Sequence, residues 1–154
     1  MPLAWNIRGW LMFYVFVIMP TRNMRKLRML LIEDDADDEQ LLQEALSDSQ
    51  VPCELRVIME GDKVLPYLHN AEHLPDVIVM DLNLPKMHGR EILVRIRSLP
   101  AFADIPLVVL STSASPYDIQ FAYDNGADKF ITKPSTISGF NSAVDTIVLM
   151  TVIE

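Results

Sequence analysis

The sequence predicts an α/β sandwich: a doubly wound sheet of five parallel strands with helices on both faces. Three observations predict it. Short apolar runs alternate with longer amphipathic stretches from Leu27 onward. One of those runs, Val77–Met80, is apolar at every position, as a strand covered on both faces must be. The alternation yields five strand-and-helix units, fewer than the eight that close a barrel.

The first strand is the run Leu27–Ile32. A helix follows over Asp37–Asp48, with Leu41, Leu42, Ala45 and Leu46 on one face. Leu55, Val57 and Met59 alternate as a second strand, and Val64, Leu65 and Leu68 mark a short helix. After the third strand, Gly89–Leu99 reads as a helix through Ile92, Leu93 and Ile96, and Leu107–Leu110 as a fourth strand. The next helix carries its own punctuation. Ser115 can cap it, Pro116 suits its first position, Asp118 completes a capping-box-like spacing, and Gly126 supplies a left-handed stop after Asn125. Phe130 and Ile131 form a short fifth strand, and Ile137, Phe140, Val144 and Ile147 mark a closing helix.

Composition narrows the class. The 154 residues suit one domain, with half of them apolar and 22% charged, which argues against disorder and against a multi-span membrane protein. The lone cysteine, Cys53, excludes an intrachain disulfide framework and a cysteine-cluster zinc site, and points to a reducing compartment. The net charge of −8 is uneven: residues 1–30 carry +5, and the remainder carries −13. So acidic a body repels a phosphate backbone and disfavours direct nucleic-acid binding.

Residues 1–25 stand outside this pattern as an N-terminal extension, with the domain proper over 26–154. Trp10–Met19 is a ten-residue apolar run closed by Pro20, short of the roughly 20 residues of a spanning helix. The foremost expectation is that translation starts at Met24, or that residues 1–23 are a loose extension. A membrane-associating segment and a partner-binding helix are the alternatives. A cytoplasmic location is expected, with membrane association through residues 1–23 as its alternative.

In an open parallel sheet, ligands bind beyond the carboxyl ends of the strands. Those ends carry Glu33, Asp34 and Asp35 after the first strand, Asp81 after the third, Ser111 and Thr112 after the fourth, and Lys133-Pro134 after the fifth. Carboxylates meeting at one point repel unless they share a proton or a cation. Oxygen donors without His or Cys point to Mg²⁺. A lysine opposite, with a hydroxyl and a free N–H, is what an incoming phosphoryl group requires. Each feature alone has a local explanation. Asp35, Asp37 and Asp38 suit a helix N-terminus, and Asp81 could be a turn residue. Their convergence on one sheet edge carries the reading.

The pattern resembles the receiver domain of two-component response regulators. Four stretches over about residues 26 to 150 carry the resemblance: Leu30-Leu31-Ile32-Glu33-Asp34-Asp35, Asp81-Leu82-Asn83-Leu84-Pro85-Lys86-Met87-His88-Gly89, Val108-Val109-Leu110-Ser111-Thr112, and Gly126-Ala127-Asp128-Lys129-Phe130-Ile131-Thr132-Lys133-Pro134. The wording around Asp81 and Ser111 is most similar to stand-alone receivers that pair with sensor kinases, phytochrome-type kinases among them. The resemblance implies a flavodoxin-like strand order, 2-1-3-4-5. It implies that Asp81 accepts the phosphoryl group. Asp34 and Asp81 would ligate Mg²⁺ directly, Glu33 through water, and Asn83 through its backbone carbonyl. Ser111 and the N–H of Thr112 would bind the phosphoryl group, Lys133 would pair with one of its oxygens, and the Lys133–Pro134 bond would be cis. Phe130 would be the aromatic switch that moves with Ser111. The chain departs from the commoner pattern with Ser111 for threonine, Phe130 for tyrosine and His88 for an acid.

The implied function is that of a single-domain regulator or relay. It is no conventional enzyme, but it catalyses its own aspartyl phosphorylation and dephosphorylation. Its partners would be a sensor histidine kinase and a downstream protein or phosphotransfer protein, with a homodimer as a further expectation. Only 20 residues follow Pro134, about one helix, which leaves no output domain in this chain. Three rivals compete. An aspartyl-phosphate hydrolase would want an acid two residues after Asp81, where Asn83 stands. A flavin or nucleotide binder would want a glycine-rich loop where Glu33-Asp34-Asp35-Ala36 stands. A phosphorylation-independent pseudo-receiver, acting as an interaction module, is the third; here all the expected chemical positions are filled.

Overall fold

The structure is a computed structural model, and it describes Gly9, Trp10, Phe13 and residues 25–152. The expectations for a start at Met24 and for the remainder of residues 1–23 lie outside the described residues.

Five parallel strands form one sheet: β1 (Leu27–Ile32), β2 (Cys53–Ile58), β3 (Val77–Met80), β4 (Leu107–Ser111) and β5 (Lys129–Thr132). Their order is β2-β1-β3-β4-β5, as expected. Over residues 25–152 the helices are α1 (Ala36–Ser49), α2 (Val64–Asn70), α3 (Gly89–Ser98), α4 (Pro116–Asp124) and α5 (Ile137–Val152), with a 3₁₀ turn, Gly61–Lys63, leading into α2. The strand pleat divides the core in two. Met29 and Leu31 of β1 pack with Leu42, Ala45 and Leu46 of α1 and Phe140, Val144 and Ile147 of α5. Leu30 and Ile32 point the other way, towards Leu68 of α2, Ile92, Leu93 and Ile96 of α3 and Ala122 of α4. The three inner strands are thus covered on both faces, which is why their apolar runs show no alternation.

One expectation fails at the sheet edge. Met59 does not belong to the second strand, which ends at Ile58, paired with Ile32. Met59 is 46% exposed, because the chain already leaves the edge for the 3₁₀ turn. Helix punctuation follows the sequence. Asp35 caps α1 by accepting from the N–H groups of Asp37 and Asp38, Ser115 caps α4 with Pro116 next to it, and Gly126 adopts φ +93° just past the end of α4.

Arg97 closes the far end of the sheet. Its guanidinium donates to the carbonyls of Gly126, Phe102, Ala103 and Ile105 and pairs with Asp128. Asp128 in turn accepts from the N–H of Leu107, where β4 begins. At the same end, Asp76 takes two bonds from Arg25 and one from the N–H of Arg28, which ties the start of β1 to the approach to β3. Among the described residues, no helix is long and apolar enough to cross a membrane.

Candidate functional site

The carboxyl ends of β1 and β3 lie side by side, joined by the bond from Asp81 N–H to the carbonyl of Ile32. That adjacency puts Glu33 and Asp81 into one cleft. Glu33 and Asp81 are buried and Asp34 is exposed, and each offers an oxygen within 4.8 Å of the others. Local backbone bonds hold the two buried groups. One Glu33 oxygen accepts from the N–H groups of Asp34 and Asp35, both at 3.1 Å, and Asp81 Oδ1 accepts from the N–H of Asn83 at 3.0 Å.

Lys133 reaches this cluster from the end of β5. Its backbone N–H bonds to the Ser111 carbonyl at 2.7 Å, which sets β5 against β4 at this point. Its Nζ lies 2.7 Å from Glu33 Oε2, 2.7 Å from Asp81 Oδ2 and 2.8 Å from Asp38 Oδ2. An ammonium has three N–H donors, and three carboxylates take them. Burial opposes the charge on Lys133, but the bonds to Asp38, Asp81 and Glu33 outweigh it and hold the ammonium above its ordinary range. Burial pushes the Glu33 carboxyl up to about 7, against the bonds from Lys133 and from the backbone. The cleft therefore holds an excess of negative charge at oxygen donors only, a donor set that fits a hard divalent cation.

The remaining expected residues stand around this centre. Asn83 touches Asp81 through its backbone N–H, and its side chain is exposed. Ser111 is fully buried, with its hydroxyl accepting from the N–H of Ser113 at 3.3 Å, while Thr112 is exposed beside it. The following loop is tied down: the Ser113 hydroxyl bonds to Asp118, whose other oxygen pairs with Arg90 of α3. Phe130 is buried in the α2–α4 side of the core, not in the cleft, and its N–H donates to the Tyr123 hydroxyl. The implied cis bond is a correction: no peptide among the described residues is cis, so Lys133–Pro134 is trans. Trans is the lower-energy isomer of such a bond, and from it Lys133 already reaches all three carboxylates.

Two features escaped the sequence reading. Asp38 reads from sequence as a first-turn acid favouring the helix dipole, yet its side chain bonds Lys133, 95 positions further along the chain. Nothing in the sequence separates it from Asp37 in the same acidic turn. The second is the loop joining β3 to α3. A Cβ on Gly89 would lie 2.4 Å from the Asp81 carbonyl oxygen and 2.5 Å from Leu82 Cα, so α3 can begin against the Asp81 backbone only with glycine there. Lys86 of that loop adopts φ +68° and pairs with Glu60, pinning it to the loop after β2.

Comparison with known proteins agrees with this geometry. The family model for the response regulator receiver domain matches residues 29–145. Response regulator Rcp1 of Synechocystis sp. is 36% identical over 110 residues, covering 68% of this chain and 75% of Rcp1. The probable methanogenesis regulatory protein FilR2 of Methanothrix harundinacea is 31% identical, covering 77% of this chain and 79% of its own. Among solved structures, the phosphorylated cyanobacterial phytochrome response regulator RcpA superposes with a TM-score of 0.75 at 39% identity, over 80% of this chain and 91% of RcpA. The Mn²⁺-bound form of Rcp1 gives 0.71 at 33% identity, over 78% and 90%. With the family model spanning most of the sheet and both halves of the acidic cleft, this chain belongs to the response regulator receiver domain family of two-component signalling.

Proposed function

We propose that this protein accepts a phosphoryl group on Asp81 from a phosphohistidine of a sensor histidine kinase of the phytochrome type, with Mg²⁺ held in the cleft. The observation that carries the reading is the meeting of Lys133 Nζ with Asp81 Oδ2 at 2.7 Å inside the three-carboxylate cluster. Asp34 and Asp81 would ligate Mg²⁺ directly, Glu33 through water and Asn83 through its carbonyl. The ion would supply charge neutralisation at the phosphoryl oxygens.

The residues of the chain do the rest. A carboxylate oxygen of Asp81 bonds to phosphorus as the P–N bond to the kinase imidazole breaks, and the imidazole leaves with its electron pair. Lys133 hands the N–H that held Asp81 to a phosphoryl oxygen. Ser111 and the N–H of Thr112 turn to the same group, which pulls on the β4–α4 loop and shifts Phe130. The new charge thereby biases the surface around α4 and β5 between two states, and that surface selects a downstream protein, a phosphotransfer protein or a second copy of the chain. Water later breaks the acyl phosphate and resets Asp81. The receiver begins at residue 26, residues 1–25 are an extension of it, and the site of action is the cytoplasm, without direct contact to nucleic acid.

The test is incubation with Mg²⁺ and acetyl phosphate, or with a cognate kinase, followed by intact mass. One added phosphate is expected, absent in Asp81→Asn and absent without Mg²⁺. Labelling that survives Asp81→Asn would overturn the assignment.

A further inference from the structure

Lys133 is held by three acids, and they differ in what else they can do. Glu33 and Asp81 belong to the group whose oxygens lie within 4.8 Å of one another with Asp34, and Asp38 stands outside that group. Asp38 projects from the first turn of α1, whose backbone is fixed by the Asp35 cap: Asp35 Oδ1 accepts from the Asp37 N–H at 2.9 Å and from the Asp38 N–H at 3.2 Å. Its carboxylate reaches Lys133 Nζ at 2.8 Å, and the Lys133 side chain is only 5% exposed, so water has little access to replace that contact.

We infer that Asp38 is a positioning residue for phosphoryl acceptance: it is the fixed anchor that keeps the Lys133 ammonium aimed into the cleft while Glu33 and Asp81 are engaged elsewhere. A divalent cation draws on the charge of Glu33 and Asp81, and phosphorylation removes the Asp81 charge. Two of the three bonds holding Lys133 weaken at the moment the ammonium is needed. Asp38 takes no part in either event, so its 2.8 Å contact to Lys133 persists. The donor freed from Asp81 then points at the phosphoryl oxygen, with the other end of the side chain's freedom removed by Asp38. Without Asp38, a four-carbon side chain has to hold its head against two carboxylates that are both leaving it, and a misplacement of about 1 Å costs heavily in rate. The inference rests on Asp81 being the acceptor.

The experiment compares the full-length wild type with Asp38→Ala, Asp38→Asn and Asp38→Glu, using acetyl phosphate as donor across a range of Mg²⁺ concentrations and intact mass as readout. Asp38→Ala is expected to slow phosphorylation about tenfold even at saturating Mg²⁺. Asp38→Glu is expected to recover most of the rate, because it restores a charged anchor. Binding of beryllium trifluoride, which mimics a phosphoryl group once a carboxylate oxygen of Asp81 completes its tetrahedron, is expected to weaken about tenfold in Asp38→Ala, and this readout needs no phosphoryl transfer. Thermal melting establishes that each variant is folded, and the near-isosteric Asp38→Asn replaces alanine should the latter not fold.

Two results would overturn the anchor. One is a wild-type rate and mimic affinity in the folded alanine and asparagine variants. The other is a defect that saturating Mg²⁺ abolishes, since Asp38 would then act only through the charge felt by the metal. A wild-type protein that takes up no phosphate would instead overturn the reading of Asp81.

Discussion

Replacing Lys133 with methionine removes the ammonium that pairs with the buried Glu33 and Asp81 while keeping the bulk of the aliphatic stem. The side chain is 5% exposed and bonds three carboxylates at 2.7 to 2.8 Å. Breaking a buried ion pair by deleting one partner costs roughly 3–5 kcal/mol, because the remaining charge stays buried without compensation. Here the loss depends on pH. Glu33 already titrates near 7 in the folded protein, and losing Lys133 pushes it higher still. A group whose folded pKa lies above its unfolded value stabilises below the unfolded value, and that stability is lost as pH rises through the folded value. Near pH 8 Glu33 has given up its proton in the wild type, whereas in the variant it still has no cation to let it ionise, so the gap between the two proteins widens above about pH 7 and the loss should reach about 3 kcal/mol. Near pH 5.5 a proton on Glu33 replaces the missing cation, and the loss should fall to about 1–2 kcal/mol. Urea unfolding of both proteins at the two pH values measures this, and millimolar Mg²⁺ should return part of the stability near pH 8. Equal losses at both pH values, or a loss under about 1 kcal/mol near pH 8, would refute the claim that Lys133 neutralises buried carboxylates.

Two further predictions concern the wild-type protein and its far end. Because the folded pKa of Glu33 is about 7, the metal-free domain should lose stability as pH rises from about 4.5 to about 7, by roughly 3 kcal/mol from this group. Mg²⁺ affinity should fall in the same group's acidic range, with proton release on binding below about pH 7, measurable by calorimetry in two buffers of different ionisation enthalpy. Arg97→Ala should cost about 2–4 kcal/mol in urea unfolding, because four backbone carbonyls and Asp128 lose a half-buried charged donor. Arg97→Lys should recover little, since three donors on a point charge cannot span the same set.

The local half of this protein is written locally. Apolar runs that alternate with amphipathic stretches fix strands and helices, since burial periodicity follows from 3.6 and 2.0 residues per turn. Ser115-Pro116 and Gly126 mark the ends of α4 because capping needs only neighbouring atoms. At Met59 the alternation continues past the last rung, and only the pairing of Ile58 with Ile32 ends the strand.

The candidate site was legible as a set, because strand ends in a parallel sheet share one edge. Glu33, Asp34, Asp81 and Lys133 meet there, as their positions after consecutive inner and edge strands implied. What tertiary structure alone decided is the company each side chain keeps. Asp38 carries no sequence mark that separates it from Asp37, its neighbour in the same acidic turn. The rotation of α1 on the sheet turns one towards Lys133 and leaves the other exposed. Arg97 reads as one more charge in the last turn of a helix; three of its acceptors follow within 5 to 8 positions, and only the return of the distant loop before β5 adds Gly126 and Asp128. The physical reason is common to both: hydrogen bonds across 29 to 95 positions depend on how rigid elements dock, and docking is set by the whole core rather than by any window of the chain.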